Sequence, residues 1–158
     1  MMTVNFIAMG RLKEPYFREA CAEYQKRLGA FARVTVSEPD PIALPHEPSP
    51  AQIDKALARE AELIRAQAAG FKIAMCVEGK ALSSEELAAK LENIGNGGIS
   101  TVSFIIGSSF GLDEGLKREC DMRLSMSPMT FPHSLARVML FEQVYRAFSI
   151  MNNSKYHK

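Results

Sequence analysis

Five short apolar segments alternate with helical patterns along the whole chain, and this alternation limits most strongly which folds the chain can adopt. The apolar segments resemble strands; they are residues 3–8, 32–36, 71–77, 99–106 and 122–126. Segment 71–77 (FKIAMCV) is almost wholly apolar, which is typical of a central strand covered on both faces. Strands that alternate with helices predict an α/β fold with a largely parallel sheet.

Several of the helical patterns begin with recognisable capping residues. Ser49 precedes a proline and predicts a helix N-cap, and Ser83 with Glu86 forms a capping-box signature. Asp113 is placed to cap a short helix. These signals mark helix starts at three points of the chain.

Two segments predict irregular structure. Residues 38–50 contain five prolines and predict a surface loop, because proline lacks the amide hydrogen that regular elements use. The triplet Glu78-Gly79-Lys80 predicts a turn at the carboxyl end of the third strand.

Length and composition bound the class of protein. A chain of 158 residues fits one domain, which we place at residues 1–158. Its net charge of +1 excludes a strongly basic nucleic-acid-binding protein but is compatible with a local basic patch. No apolar run approaches the ~20 residues that a membrane span needs. The three separated cysteines predict no disulfide and no metal site, and they favour a cytoplasmic location.

The last third of the chain combines a shaped loop with a long helix. Two prolines constrain the loop backbone just before His133, and an apolar three- and four-residue repeat from Leu135 predicts a buried helix face. Glu142 precedes Arg146 by four residues, a spacing that favours an ion pair. A polar tail follows, which ends in Tyr156-His157-Lys158.

Ligands of open α/β sheets bind outside the carboxyl ends of the strands. Three such ends stand out, at residues 75–80, 106–111 and 126–133. None of them carries a G-x-G-x-x-G or Walker pattern. Gly107 directly follows a strand, where its missing side chain permits close approach of a ligand, although a plain turn would use the same residue.

The run MTFPHSLARVMLFEQVYRAFSI, together with the terminal YHK, closely resembles the ribosomal RNA large subunit methyltransferase H family of the SPOUT class. The resemblance extends over the whole chain, through MMTVNFIAMGRLKEPYF, EGKALSSEELA and IIGSSFGL. It implies a single-domain parallel-sheet SPOUT fold with a C-terminal trefoil knot, and S-adenosyl-L-methionine as cofactor. The knot and the cofactor site would lie within about residues 71–158.

The resemblance also implies which residues surround the cofactor, mainly through backbone groups of three loops. Carried over by matching motif, they are Met75, Gly107, Met126, Ser127, Pro128, Met129, Thr130 and Phe131. The family usually has two glycines after the isoleucine, whereas this chain has Ser108 at the second position. The serine side chain leaves less room than a glycine for the cofactor to approach the backbone at position 108, whereas Gly107 is retained.

The implied reaction is methylation of N3 of a pseudouridine in large-subunit (23S) ribosomal RNA, with the ribosome as substrate and a homodimer as the active form. His133 is the first candidate for the base or orienting donor. Arg137 would steady phosphate or developing charge, with a structural ion pair as the rival role. Tyr156 and His157 would complete the target pocket from a tail that orders when RNA binds.

Two other classes of function compete with this interpretation. Gly107 to Gly111 formally fits the G-x-S-x-G pattern of α/β-hydrolases, with Ser109, then Asp113 or Asp121, then His133 in the expected order. In a hydrolase of this kind the helix starts at the nucleophile, whereas a cap at Asp113 predicts a helix that starts four residues after Ser109. A small binding module without catalysis is also compatible with the composition.

Overall fold

A computed structural model describes residues 1–158 as five strands and five helices in strict alternation. The strands are β1 Thr3–Ala8, β2 Arg33–Ser37, β3 Phe71–Ala81, β4 Thr101–Ile106 and β5 Met122–Ser125. The helices are α1 Pro15–Leu28, α2 Pro50–Gln67, α3 Ser84–Asn96, α4 Glu114–Glu119 and α5 His133–Met151. None of the five helices combines the length and the apolar character that crossing a lipid bilayer requires.

All strand pairs are parallel, and the strand order in the sheet is β2-β1-β4-β3-β5. The predicted α/β fold with a parallel sheet is therefore confirmed. Because every strand is parallel, β3, β4 and β5 end at the same edge of the sheet. Segments 106–111 and 126–133, which the sequence marks as ligand-binding candidates, lie at the ends of β4 and β5, whereas the third, 75–80, lies within the carboxyl-terminal half of β3.

Helices cover both faces of the sheet. In β1, Val4 and Phe6 belong to the hydrophobic cluster that contains α1, α3 and α5, whereas Ile7 belongs to the cluster with α2 and α4. This alternation is the period of two that a strand imposes on its side chains. The ring of Phe6 stacks on Phe141 of α5, with centroids 4.1 Å apart, and so anchors the last helix to the sheet centre.

The predicted helix caps at three positions are confirmed. The Ser83 hydroxyl accepts a hydrogen bond from the Glu86 amide, and the Glu86 carboxylate accepts one from the Ser83 amide. Ser49 forms the same reciprocal pair with Gln52 at the start of α2. Asp113 caps α4 through the Leu116 amide.

The turn predicted at Glu78-Gly79-Lys80 is wrong, because β3 continues to Ala81. Leu124 of β5 is paired with Met75 and again with Lys80, so residues 76–79 bulge out of the ladder. A Cβ at Gly79 would lie 2.8 Å from backbone atoms of β5, so only glycine lets the strand return to its neighbour. The bulge carries four residues out of the sheet at its ligand-binding edge.

Candidate functional site

A cavity of about 880 Å³ lies at the carboxyl ends of β3, β4 and β5. Its volume is within the range of small-molecule and cofactor sites. The walls come from the β3 bulge, from residues 106–114, from residues 126–133 and from the first turns of α5. The three segments that the sequence singled out therefore surround one space.

Most of the expected cofactor residues line this cavity. Those present are Met75, Gly107, Met126, Ser127, Met129, Thr130 and Phe131, and His133 joins them as the first residue of α5. Pro128 is not part of the lining. The lining also extends beyond residues 71–158, because Ile53, Asp54 and Leu57 of α2 contribute to it. Sequence reasoning missed the α2 residues, since only the fold brings that helix to the strand ends.

The glycine loop, residues 107–111, is a tight turn. The Gly111 amide donates to the Ser108 carbonyl, and Gly111 has a φ of +87°, which strongly favours glycine. A Cβ at Gly107 would lie 2.3 Å from the Gly111 carbonyl oxygen. The space that Gly107 leaves open is thus taken by the loop's own backbone, whose internal contacts fix the shape of the turn.

The cavity lining is acidic. It contains one ammonium group, from Lys117, and four carboxyl groups, from Asp54, Glu78, Asp113 and Glu114. Lys117 is buried and donates to Glu78 over 2.5 Å and to Glu114 over 2.6 Å. Such a lining favours a ligand with positive charge and disfavours nucleic-acid phosphates.

Glu78→Gln is expected to lower the melting temperature at neutral pH, with a loss that shrinks in acid. The hydrogen bond from Lys117 holds the pKa of the Glu78 carboxyl below its usual value of 4.5. A carboxyl group of this kind stabilises the fold above its unfolded pKa, and that stabilisation disappears as pH falls through the folded pKa. Thermal unfolding between about pH 3 and pH 7 measures the difference. Glu62→Gln, at an exposed position without an ion pair, is the matched control; a pH-independent difference for Glu78→Gln would contradict the expectation.

Arg137 does not line the cavity. The residue is 2% exposed, and its guanidinium donates to the Glu38 carboxylate and to the Gly10 carbonyl, each over 2.7 Å. The Nε atom is buried without a hydrogen-bond partner. These contacts connect α5 to the ends of β1 and β2. They are the contacts expected if Arg137 forms a structural ion pair, the rival role given above.

Tyr156 and His157 lie in a separate group, the C-terminal cluster of Glu142, Arg146, Tyr156 and His157. The Glu142 carboxylate binds Arg146 over 2.5 Å and accepts a hydrogen bond from the Tyr156 hydroxyl over 3.1 Å. His157 contacts Arg146 through Nδ1 and Glu85 of α3 through Nε2. Burial, followed by the charge of Glu142, raises the pKa of Tyr156 to about 12.

In the structure the tail packs against α3 and α5 through these contacts, and its ordering on RNA binding stays a prediction. Glu142 and Arg146 are the members of the C-terminal cluster that sequence reasoning did not place in the site. The available signal was their four-residue spacing, which predicted the ion pair but not the two tail residues that join it. His133 and the C-terminal cluster occupy different surfaces of the isolated chain.

The serine-hydrolase alternative is unsupported. The Asp113 carboxylate caps α4, and the Asp121 carboxylate accepts from the Lys72 amide; neither is hydrogen-bonded to His133. Helix α4 begins at Glu114, well after Ser109, whereas a nucleophile elbow leads directly into its helix.

A single parallel sheet with a preformed acidic cavity at its carboxyl edge defines a ligand-binding α/β protein of the kind that includes many cofactor-dependent enzymes. Residues 2–157 match the family model described as "Predicted SPOUT methyltransferase". The chain therefore belongs to the SPOUT methyltransferase family, which supports an enzyme over a binding module without catalysis.

Curated relatives match over their full length. The chain is 42% identical to "Ribosomal RNA large subunit methyltransferase H" of Leuconostoc citreum, over 99% of this chain and 100% of the relative. It is 43% identical to the protein of the same name from Ruminiclostridium cellulolyticum, with the same coverage. Among solved structures, a probable methyltransferase from Bordetella pertussis is 16% identical with a TM-score of 0.55, and the match covers 93% of this chain and 95% of that one. At that identity the structural likeness supports the fold alone.

Proposed function

We propose that this chain is an S-adenosylmethionine-dependent methyltransferase that methylates N3 of a pseudouridine in large-subunit (23S) ribosomal RNA. The observation that carries the proposal is the preformed cavity at three strand ends, in a chain that aligns from end to end with methyltransferases named for large-subunit ribosomal RNA. Cavity and alignment together favour a methyl transfer to RNA over the other chemistries that an α/β fold can host.

The cofactor fits the cavity in charge and in size. Its sulfonium makes the transferred methyl group electrophilic, so the protein has mainly to align donor and acceptor. Asp54, Glu78 and the other lining carboxyl groups favour this cationic ligand. Residues of the glycine loop and of segment 126–131 would hold it through backbone groups, without a charged fingerprint.

We assign to His133 the role of the base or orienting donor that acts on the N3 proton. The N3 proton lies between two carbonyl groups and must leave during attack, so a base or donor near that atom accelerates the transfer. His133 is exposed at the cavity wall and makes no hydrogen bond within the chain. Its imidazole is therefore free to contact the target base.

A homodimer would bring the C-terminal cluster to the cavity. Large apolar side chains are exposed around the cavity, with Val77 46%, Phe110 49% and Met129 71% accessible. A cluster of exposed apolar residues of this kind favours a protein interface. In a symmetric dimer, Tyr156 and His157 of one chain would complete the target pocket of the other.

The carboxyl-terminal segment is expected to form the trefoil knot. Strand β5 lies at the sheet edge beside β3, and α5 then returns across one face to pack on α1 and α3. This return supports a threaded path within one domain of residues 1–158, although most folds avoid knots.

The assembled ribosome is the substrate we favour, in the cytoplasm. A net charge of +1 and an acidic cavity give little counterion-release energy for naked RNA. A folded ribosomal particle offers shape and protein surface in addition to phosphates.

Ala136→Trp is expected to abolish S-adenosylmethionine binding, because Ala136 lines the cavity and an indole there would fill it. Isothermal titration of the purified protein measures the binding. Ala58→Trp is the matched control, since it places the same side chain at an exposed position of α2. A wild-type protein that does not bind the cofactor, alone or with ribosomes, would overturn the proposed function, as would unchanged binding by Ala136→Trp.

A further inference from the structure

Glu60 of α2 is a buried carboxyl group in an unusual setting. Glu60 is 3% exposed, and no Lys, Arg or His forms an ion pair with its carboxyl group. Its oxygens instead accept two hydrogen bonds, from the Ser108 hydroxyl over 2.9 Å and from the Ile42 amide over 3.0 Å. A carboxyl group buried without a cation is costly, so its two neutral donors are the contacts that compensate for it.

The two donors belong to segments without regular structure of their own. Ser108 begins the tight turn of the glycine loop, and Ile42 lies in the proline-rich loop between β2 and α2. Glu60 itself is not part of the cavity lining, whereas Ser108 and Leu57, one helical turn before Glu60, are. Glu60 therefore lies outside the cavity lining and supports the lining residue Ser108 through a hydrogen bond.

The hydrogen bond between Ser108 and Glu60 involves position 108, at which this chain has serine and differs from the two-glycine pattern described above. A glycine there would have no hydroxyl to donate. We propose that Glu60 and Ser108 form a positioning pair, in which the buried carboxyl group holds the glycine loop in the geometry that binds S-adenosylmethionine. This inference rests on the proposed function and concerns the affinity for the cofactor, not the chemistry at N3.

The decisive variant is Ser108→Ala, which removes one hydroxyl and leaves the backbone unstrained. Loss of a hydrogen bond to a buried carboxyl group is expected to raise the dissociation constant for S-adenosylmethionine about tenfold. Turnover at saturating cofactor should fall much less than affinity, because the pair is proposed to act on cofactor binding and not on the chemistry at N3. Ser108→Thr keeps a hydroxyl and should restore most of the affinity.

Changes at Glu60 test the other half of the pair. Glu60→Gln should have little effect, because its amide can donate to the Ser108 oxygen while its carbonyl accepts from Ile42. Glu60→Met removes both contacts, and adding Ser108→Ala to it should raise the dissociation constant no further. If Glu60→Met does not fold, Ser108→Ala and Glu60→Gln still decide the question.

Ser100→Ala is the control, since Ser100 is exposed, lies outside the cavity lining and makes no side-chain hydrogen bond. Titration of each variant with S-adenosylmethionine, beside kcat and KM on ribosomes, gives the result. Wild-type affinity in Ser108→Ala, an equal loss in Ser100→Ala, or a fall in kcat instead of affinity would each overturn the positioning pair. A wild-type protein that fails to bind the cofactor would instead overturn the proposed function, and this inference with it.

Discussion

Deletion of Tyr156, His157 and Lys158 is expected to lower methyl transfer to ribosomes by about a hundredfold or more. Binding of S-adenosylmethionine should stay within about twofold of wild type, because no tail residue lines the cavity. The reason for the loss is that Tyr156 and His157 hold Arg146 in the C-terminal cluster, which we propose to contact the target nucleotide. Transfer of a radiolabelled methyl group to ribosomes measures the effect.

Point variants separate chemistry from packing in this first prediction. His157→Ala removes the contacts to Arg146 and Glu85 but keeps Tyr156 packed on Tyr145, where the ring centroids are 4.7 Å apart. Lys155→Ala is the control, because Lys155 is exposed and forms no ion pair. Full activity of the tail-deleted protein would remove the C-terminal cluster from the site.

Mixing two inactive variants tests whether the tail acts across a dimer. A tail-deleted chain keeps an open cavity, and an Ala136→Trp chain keeps its tail. If each site uses the partner's tail, random heterodimers contain one intact site each and restore about one quarter of wild-type activity. No recovery would mean that tail and cavity act within one chain.

Arg137→Met is expected to lower the free energy of unfolding by about 3 kcal/mol, the lower end for a broken buried ion pair. The lower end applies because Glu38, which loses its partner, has a side chain that is 34% exposed. The Gly10 carbonyl also loses its donor. Urea unfolding measures the change, with Arg59→Met, at an exposed position of α2, as control.

Activity of the same variant decides between the two roles that the sequence allowed for Arg137. If the residue is structural, Arg137→Met retains near wild-type turnover at temperatures well below its melting point. Loss of turnover in a protein that is folded and binds the cofactor would instead support the predicted role in steadying charge. A variant as stable as wild type would contradict the structural role.

Interactions between close neighbours in the chain could be predicted from the sequence. The Ser83–Glu86 capping box, the Asp113 cap and the Glu142–Arg146 ion pair all join residues three or four positions apart. Such contacts depend on local geometry, which helix periodicity fixes. The parallel sheet followed from alternation alone, and with it the edge at which the cavity lies.

Contacts between distant segments were decided only by the tertiary structure. In the β3 bulge, Leu124 of β5 pairs with both Met75 and Lys80 of β3, and Glu60 meets Ser108 across 48 positions of the chain. His157 likewise reaches Glu85 across 72 positions. No local pattern encodes which polar groups the packed core brings together, because that pairing depends on how all five helices settle on the sheet. The sequence therefore determined the parallel sheet and the edge at which the cavity lies, and the tertiary structure decided where β3 ends, which residues wall the cavity and which side chains support it.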